Sequence, residues 1–363
     1  MRIGFFLRDL KVEGVQIVSL RLAEAMIKLG HHCDLILLNG DCELDIPESL
    51  DIHILNLPKE IKSKRIKKYT NEFQSWLKFE DEKKPFDVIF CGHGDTINMA
   101  SSINDPRLIV HEHTCDKFTF ENKSFIKKLK SKYKLNKRYK NKNIICVSKG
   151  VSDFISENVN TYESLNVIYN PFNTDDIKNK KEEKCCHIID GDYVIYVGRI
   201  SREKNLELLL KSLSLVKSDL MLVIVGEGSR DYKNELINKA KNLNLDKRIK
   251  WVPFLKNPYP LINNAEALLL TSKNEGFGNV LVEALICHTP IISTNCYSGP
   301  SEIMVDELAN YLIDDFSEVK IAKAIDEIIE GGNNIEYEKY YRQFDVNNIV
   351  IQMIQLIDKL KAH

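Results

Sequence analysis

Nowhere in the 363 residues do 18 uncharged apolar residues run together, so no segment reads as a membrane-spanning helix. The apolar stretch after Met1 is too short for a signal peptide, and export is not expected. Cys-x-x-Cys pairs are missing as well. The nine cysteines (33, 42, 91, 115, 146, 185, 186, 287, 296) are scattered, several inside apolar runs such as Ile144-Ile145-Cys146-Val147. They read as reduced structural thiols of a cytosolic protein. Excess charge is lacking too: 51 basic against 52 acidic residues leave a net charge of −1, which argues against a general nucleic-acid binder. The length exceeds what one core usually fills, so two domains of about 150 to 200 residues each are expected.

Short runs rich in Ile and Val alternate with longer amphipathic stretches, the pattern of repeated βα units around parallel sheets. Strands are expected near 2–7, 33–38, 51–55, 87–91, 107–111, 143–147 and 166–169. A second series follows near 193–198, 220–225, 248–252, 266–270, 290–293 and 310–313. The fold class is therefore α/β, with two doubly wound sheets. The charged stretch from Asn173 to Lys184 reads as a linker, giving domains at 1–172 and 191–335 with 173–190 between them. Residues 336–363 carry apolar positions at helical spacing and are expected to form a helix that packs back on a domain, the N-terminal one being the candidate.

Four features fall in order on successive strand ends of the second series. Gly198-Arg199 with Lys204 sets two cations after a tight turn, which suits a diphosphate; a solvated basic loop is the other reading. Gly226 and Gly228 form a second turn that lacks the third glycine of a dinucleotide fingerprint, and Ser229 or Asp231 is placed to cap the next helix. Phe254 follows the next strand, where main-chain groups suit a nucleobase edge, although a residue such as Phe254 is itself more often core. Glu275 and Glu283 then bracket Phe277, Gly278, Asn279 and Val280, whose amides open a helix and suit an anion, while Glu283 suits the hydroxyls of a ribose. Asp190-Gly191-Asp192 has the spacing of a diphosphate-metal motif but precedes its strand, so it reads as a turn; no metal or other cofactor is expected.

That ordered set resembles the retaining glycosyltransferases of family four, which have the GT-B fold: two Rossmann-like domains facing across a cleft. The resemblance spans about 190–305 and continues through Ser298-Gly299-Pro300-Ser301-Glu302-Ile303, in the manner of bacterial enzymes that build O-antigens, capsules and lipid-linked oligosaccharides. It implies that the 1–172 domain binds the acceptor and the 191–335 domain the nucleotide-sugar donor, with Arg199 and Lys204 holding the donor pyrophosphate, Glu283 the ribose and Glu275 the transferred sugar. In the N-terminal half only Gly14 carries over from the family's glycine turn. His113 or His111 stands where the family places a histidine near the donor sugar.

From Lys123 to Lys142 there are ten Lys or Arg residues and no acid, with Phe125, Ile126, Leu129, Tyr133 and Leu135 interleaved; Lys62 to Lys68 is a second basic cluster. A basic amphipathic helix suits an anionic membrane surface, the other reading being a solvated face. The sequence thus points to a peripheral cytoplasmic glycosyltransferase. It would move a hexose or N-acetylhexosamine from a UDP-sugar to a lipid-linked or polysaccharide acceptor with retention, and bind no nucleic acid. The alternatives are a non-catalytic nucleotide-sugar-binding subunit and a UDP-sugar epimerase of the same fold.

Overall fold

The computed structural model describes residues 1–58, 61, 65–185, 187, 189–331 and 335–362. Cys186 and Lys62, Ser63 and Lys64 of the earlier basic cluster lie outside them. The chain divides into two compact units, Met1–Phe172 with Val346–His363, and Asn173–Asp345.

Unit 1 runs β1 (Arg2–Leu7), α1 (Gly14–Lys28), β2 (His32–Leu37), β3 (Asp51–Ile54), α2 (Ile66–Lys83), β4 (Val88–Cys91), α3 (Gly94–Ala100), β5 (Leu108–Glu112), α4 (Lys117–Glu121), α5 (Phe125–Tyr139), β6 (Asn143–Cys146), α6 (Lys149–Asn158) and β7 (Ser164–Val167). Unit 2 runs α7 (Thr174–Lys181), β8 (Tyr193–Val197), α8 (Leu206–Leu213), β9 (Met221–Val225), α9 (Arg230–Asn242), β10 (Ile249–Val252), α10 (Tyr259–Asn263), β11 (Ala267–Leu270), α11 (Asn279–Cys287), β12 (Ile291–Thr294), α12 (Pro300–Ile303), β13 (Leu312–Ile313), α13 (Glu318–Glu330) and α14 (Glu338–Tyr341). The last helix, α15 (Val346–Lys361), returns to unit 1.

Both sheets are parallel, in the orders β3-β2-β1-β4-β5-β6-β7 and β10-β9-β8-β11-β12-β13. Their central strands are buried on both faces, which is why Phe5, Leu35 and Phe90 in one sheet and Val194, Ile224 and Leu269 in the other belong to continuous apolar runs. In each sheet the order reverses once: between β1 and β4, and between β8 and β11. Loops leaving the two strands at such a point diverge to opposite faces and leave a crevice at their carboxyl ends.

Two boundaries differ from the sequence reading. The segment read as a linker is not a tether: Thr174–Lys181 is helical, Asn173 caps it by accepting the Asp176 amide at 3.2 Å, and Ile177 is buried. With one buried apolar residue, its amphipathic pattern is too thin to stand out. Residues up to Asp345 also belong to unit 2, and the returning helix begins at Val346, whose amide donates to Phe172 O at 2.8 Å. Ile349, Met353 and Ile357 of α15 enter the core formed by α1 and β1, and Lys361 pairs with Asp87.

Unit 1 also holds a buried charge cluster at the amino ends of its strands. Arg2 donates to both oxygens of Asp34, at 3.1 and 2.9 Å, and to Glu80 at 3.1 Å; His53 Nε2 lies 2.8 Å from Asp34. Burial pushes the Asp34 carboxyl up, but hydrogen bonds from His53 and Arg2 outweigh it and hold the group below the usual carboxylate range. A depressed carboxylate stabilises the fold fully above its unfolded value of about 3.9 and loses that contribution as pH falls through the lower folded value. Arg2→Met leaves Asp34 buried without its main partner, and we expect a loss of about 3 to 5 kcal/mol from unit 1 at neutral pH. Urea unfolding in a Trp251→Phe background, where Trp76 is the remaining tryptophan and reports unit 1, measures this; unchanged stability counts against the cluster.

Candidate functional site

In unit 2 the loop after β8 and the loop after β11 meet at the order reversal. Lys204, in a short 3-10 turn, reaches Glu275 with Nζ 2.6 Å from Oε1. Ser272 Oγ donates to the same oxygen at 2.6 Å, and Ser298 Oγ donates to the Glu275 carbonyl at 2.6 Å. Thr271 ties the two loops together by donating to Lys204 O at 3.1 Å and Asn205 O at 3.2 Å. Glu275 is thus nearly buried and held through both its carboxylate and its backbone. Sequence reasoning gave Lys204 and Glu275 separate tasks; here they neutralise each other. It missed Thr271 and Ser272, which carry no pattern of their own, while Ser298 lay within a segment already marked.

The three cations of the β8 loop differ in engagement. Arg202 is forked onto Glu235 at 2.8 and 2.6 Å, with its guanidinium over the Tyr232 ring at 4.8 Å, and so points away. Arg199 is 65% exposed, with only a long contact to Glu203 at 3.9 Å. Its carbonyl accepts from the buried Tyr196 hydroxyl at 2.8 Å, which fixes the loop while leaving the guanidinium in solvent. Tyr196 is itself held neutral: burial and then the Glu275 charge push its hydroxyl well above the ordinary value.

The glycines have a packing reason beyond ligand approach. A Cβ on Gly226 would stand 2.0 Å from Gly198 O, and one on Gly228 2.0 Å from Ile200 O. The loops after β8 and β9 run backbone against backbone, with Ile200 N donating to Glu227 O at 2.7 Å. Ser229 caps α9, its side chain accepting the Tyr232 amide at 3.3 Å.

Gly278, with φ +93°, turns the chain into α11. Asn279, Val280 and Glu283 share a half-buried face of that helix, while Leu281, Val282, Ala284 and Leu285 are buried. The Phe277 side chain is buried with its ring 5.1 Å from Phe344 at 79°, so it is core; the sequence reading concerned its amide. Phe254 is exposed beyond β10.

In unit 1 Gly14 is exposed as the first residue of α1. His111 is buried within β5 and its ring packs against Phe90; burial lowers its pKa to about 4. His113 follows the strand end, its ring 4.1 Å from that of His111, and burial together with the fields of His111 and His93 holds it well below the ordinary histidine range. Two cysteines on β4 and β6, Cys91 and Cys146, are buried thiols.

Two family profiles divide the chain between them: one described as Glycosyltransferase Family 4 matches residues 12–176, and one described as Glycosyl transferases group 1 matches 179–345. The chain is a GT-B fold glycosyltransferase related to family 4 and group 1. A Campylobacter jejuni relative, N-acetylgalactosamine-N,N'-diacetylbacillosaminyl-diphospho-undecaprenol 4-alpha-N-acetylgalactosaminyltransferase, is 26% identical over 337 residues, covering 91% of this glycosyltransferase and 90% of the relative. Among solved structures, sucrose-phosphate synthase from Thermosynechococcus elongatus superposes with a TM-score of 0.80 at 18% identity, covering 100% of this chain and 99% of that one. Anabaena HepE in complex with UDP and glucose gives a TM-score of 0.73 at 18% identity, covering 99% and 100%. These two likenesses show the fold.

Lys204→Met removes the ion pair and leaves the Glu275 carboxylate nearly buried beside Ser272. We expect unit 2 to lose about 1.5 to 3 kcal/mol, the size of a hydrogen bond to a charged group. Adding Glu275→Gln should restore most of that loss, because no lone carboxylate remains. Urea unfolding followed at Trp251 in a Trp76→Phe background tests this, and simply additive losses speak against the coupling.

Proposed function

We propose that this glycosyltransferase moves a sugar from a UDP-sugar to a lipid-linked or polysaccharide acceptor in the assembly of a cell-surface polysaccharide, with retention at the anomeric carbon. The observation that carries the reading is the carboxylate of Glu275, held at the reversal between β8 and β11 beside Lys204, with Arg199 in solvent after β8 and the α11 start following at Gly278. The names of the relatives supply the chemical class: one transfers N-acetylgalactosamine to a diphospho-undecaprenol acceptor, and one was solved with UDP and glucose.

In this reading Glu283 accepts from the ribose hydroxyls, and Phe254 with the neighbouring backbone meets the base. Gly198, Gly226 and Gly228 shape the loops, and Arg199, Lys204 and the Gly278–Val280 amides face the diphosphate. Glu275 binds a hydroxyl of the transferred sugar. The acceptor oxygen forms the bond to the anomeric carbon as the bond from that carbon to the phosphate oxygen breaks. The electron pair leaves with the diphosphate, and the acceptor proton passes to the departing phosphate on the same face. Fixed cations and helix amides stabilise charge that develops there, so no protein nucleophile is required. The family resemblance assigns His113, at the end of β5, to the sugar side, and Gly14 to the start of the loop before α1.

Calorimetry with UDP and GDP checks the donor site. Glu283→Ala should weaken UDP binding at least tenfold, the loss of a charged hydrogen bond. Arg199→Ala should mainly lower turnover, by roughly a hundredfold or more, since it acts on the leaving group. Wild-type turnover in Arg199→Ala removes that role.

The reading includes attachment to an anionic membrane surface through α5. Phe125, Ile126, Leu129 and Tyr133 are 75%, 66%, 52% and 73% exposed, and Tyr139 is the buried residue of the helix. The cations around this stripe are unmatched by any acid from Lys123 to Lys142. Among the described residues no helix is long and apolar enough to cross a membrane, so attachment would be peripheral. Replacing Lys127, Lys128, Lys130 and Lys134 with glutamine should cut binding to phosphatidylglycerol vesicles by at least tenfold at low salt, at about 1 kcal/mol per cation near the surface. Equal sedimentation of the variant and the native protein with such vesicles would discard this surface.

A further inference from the structure

The amino ends of two neighbouring strands in unit 1 carry histidine and aspartate in a pattern that sugar transfer leaves unused. His32-Cys33-Asp34 opens β2, and Asp51-Ile52-His53 opens the edge strand β3. In the parallel register Asp34 lies opposite Asp51, and Ile36 lies opposite His53. Residues two apart on a strand share a face of the sheet, as do directly opposed residues. His32, Asp34, Asp51 and His53 are therefore gathered on one face.

His32 Nε2 is 3.1 Å from Asp51 Oδ2 and 3.5 Å from Asp34 Oδ2. One ring nitrogen thus faces two carboxylate oxygens, and a single N–H can be aimed at only one of them. Asp34 and Asp51 are also like charges directly across a strand pair, an arrangement that costs stability unless a cation lies between them. The acceptor count on Asp34 leaves room for one. Its Oδ1 accepts from Arg2 Nη2 at 2.9 Å and lies 2.8 Å from His53 Nε2, which together fill that oxygen. Its Oδ2 accepts from Arg2 Nε at 3.1 Å and keeps one acceptor position, and this is the oxygen nearer His32.

The separations match a particular ion. Zinc bonds to imidazole nitrogen and carboxylate oxygen of about 2.0 to 2.1 Å, arranged tetrahedrally, set neighbouring ligand atoms about 3.3 Å apart. The 3.1 and 3.5 Å separations from His32 bracket that value. All three ligand atoms lie within 4.8 Å of one another, and Asp51, 64% exposed, is free to turn and close the remaining edge.

We propose that His32 Nε2, Asp34 Oδ2 and Asp51 Oδ2 form a zinc site, completed by water, that ties the edge strand β3 to β2. His53 and Arg2 hold the Asp34 carboxylate from its other side, as outer-shell partners do. The site lies at the amino ends of the strands, opposite the carboxyl edge, and rests on unit 1 alone. Strand β3 needs such a tie: it is four residues long, and Asp51, Ile52 and Ile54 are exposed.

Zn²⁺ is the probe, with Mg²⁺ for comparison because magnesium prefers six oxygen ligands. Calorimetric titration of the whole chain should show a zinc site that His32→Asn and Asp51→Asn each weaken at least tenfold, the scale on which even outer-shell changes act. Cys42→Ser, which removes an exposed thiol, should leave it unchanged. In protein labelled with ¹⁵N-histidine, zinc should shift the His32 Nε2 resonance. Zinc should also raise the urea midpoint of unit 1 in the Trp251→Phe background, since a ligand of the folded state stabilises it, and should not do so when Asp51→Asn is added. Trp76, its ring 5.2 Å from that of His53, is the reporter.

Absence of zinc binding to the native protein overturns the inference, as does unchanged affinity in Asp51→Asn. Loss of the site in Cys42→Ser overturns it in favour of a thiol ligand, and equal affinity for Mg²⁺ overturns it in favour of a merely acidic surface. Zinc that binds without moving the urea midpoint removes the tie between the strands. Should His32→Asn fail to fold, Asp51→Asn decides, because its exposed side chain is not needed for packing.

Discussion

A parallel sheet whose strand order reverses once has a single place where the connections on either side swing apart, and in this chain that constraint governs both units. Elsewhere along the carboxyl edge, successive βα loops crowd the strand ends. At the reversal the edge stays open, and main-chain groups and polar side chains can be left there without being overlaid. In unit 2 the open edge is stiffened by contacts that tolerate no side chain, Gly226 against Gly198 O and Gly228 against Ile200 O. Those contacts hold the β8 loop in place, the β8 loop carries Lys204, and Lys204 with Ser272 sets the position of the Glu275 carboxylate. Local rigidity in the glycine turns is therefore a precondition for the geometry of the charged pair.

The two reversals differ in their charged side chains. In unit 2 Lys204 is paired with Glu275, and Arg199 remains largely in solvent with a long contact to Glu203 at 3.9 Å. In unit 1 Arg8 is shared between Asp9 and Glu13; His93 and His111 are buried, and His113 is half-buried.

The sheets were legible in the sequence because strands buried on both faces must be continuous apolar runs, as β1, β4, β9 and β11 are; the edge strands β3 (DIHI) and β7 (SLNV) are not buried this way and carry a weaker signal. The polar loop residues Arg199, Lys204 and Glu275 were legible from residue type and position at strand ends. What stayed hidden depends on contacts between distant residues. Phe277 and Phe254 are chemically alike, yet one is sealed by Phe344 and the other stands in solvent, and no local pattern distinguishes them. Helix α7 hides its single anchor, Ile177, in a charged run that composition alone assigns to a tether. His93 is a lone histidine in the sequence; only the pairing of β4 with β1 brings its Nδ1 to the Arg8 amide.

Helix α5 breaks the rule that the other long helices obey. Most helices in water are held by an apolar face buried against the core, and propensity alone leaves a 15-residue segment marginal. Here the apolar face is exposed and the buried anchor is Tyr139, whose hydroxyl donates to Glu112 at 2.6 Å. Lys127 with Lys130, Lys130 with Lys134, and Lys128 with Lys132 are like charges at helical spacing, each pair unfavourable by about 0.2 to 0.5 kcal/mol. The helix thus forgoes core packing and accepts internal repulsion. In the membrane attachment proposed above, an anionic, partly apolar surface would offset both costs at once, screening the lysines with counter-charges and taking up Phe125, Ile126 and Leu129. Water offers neither compensation, and that difference is the physical argument for the proposal.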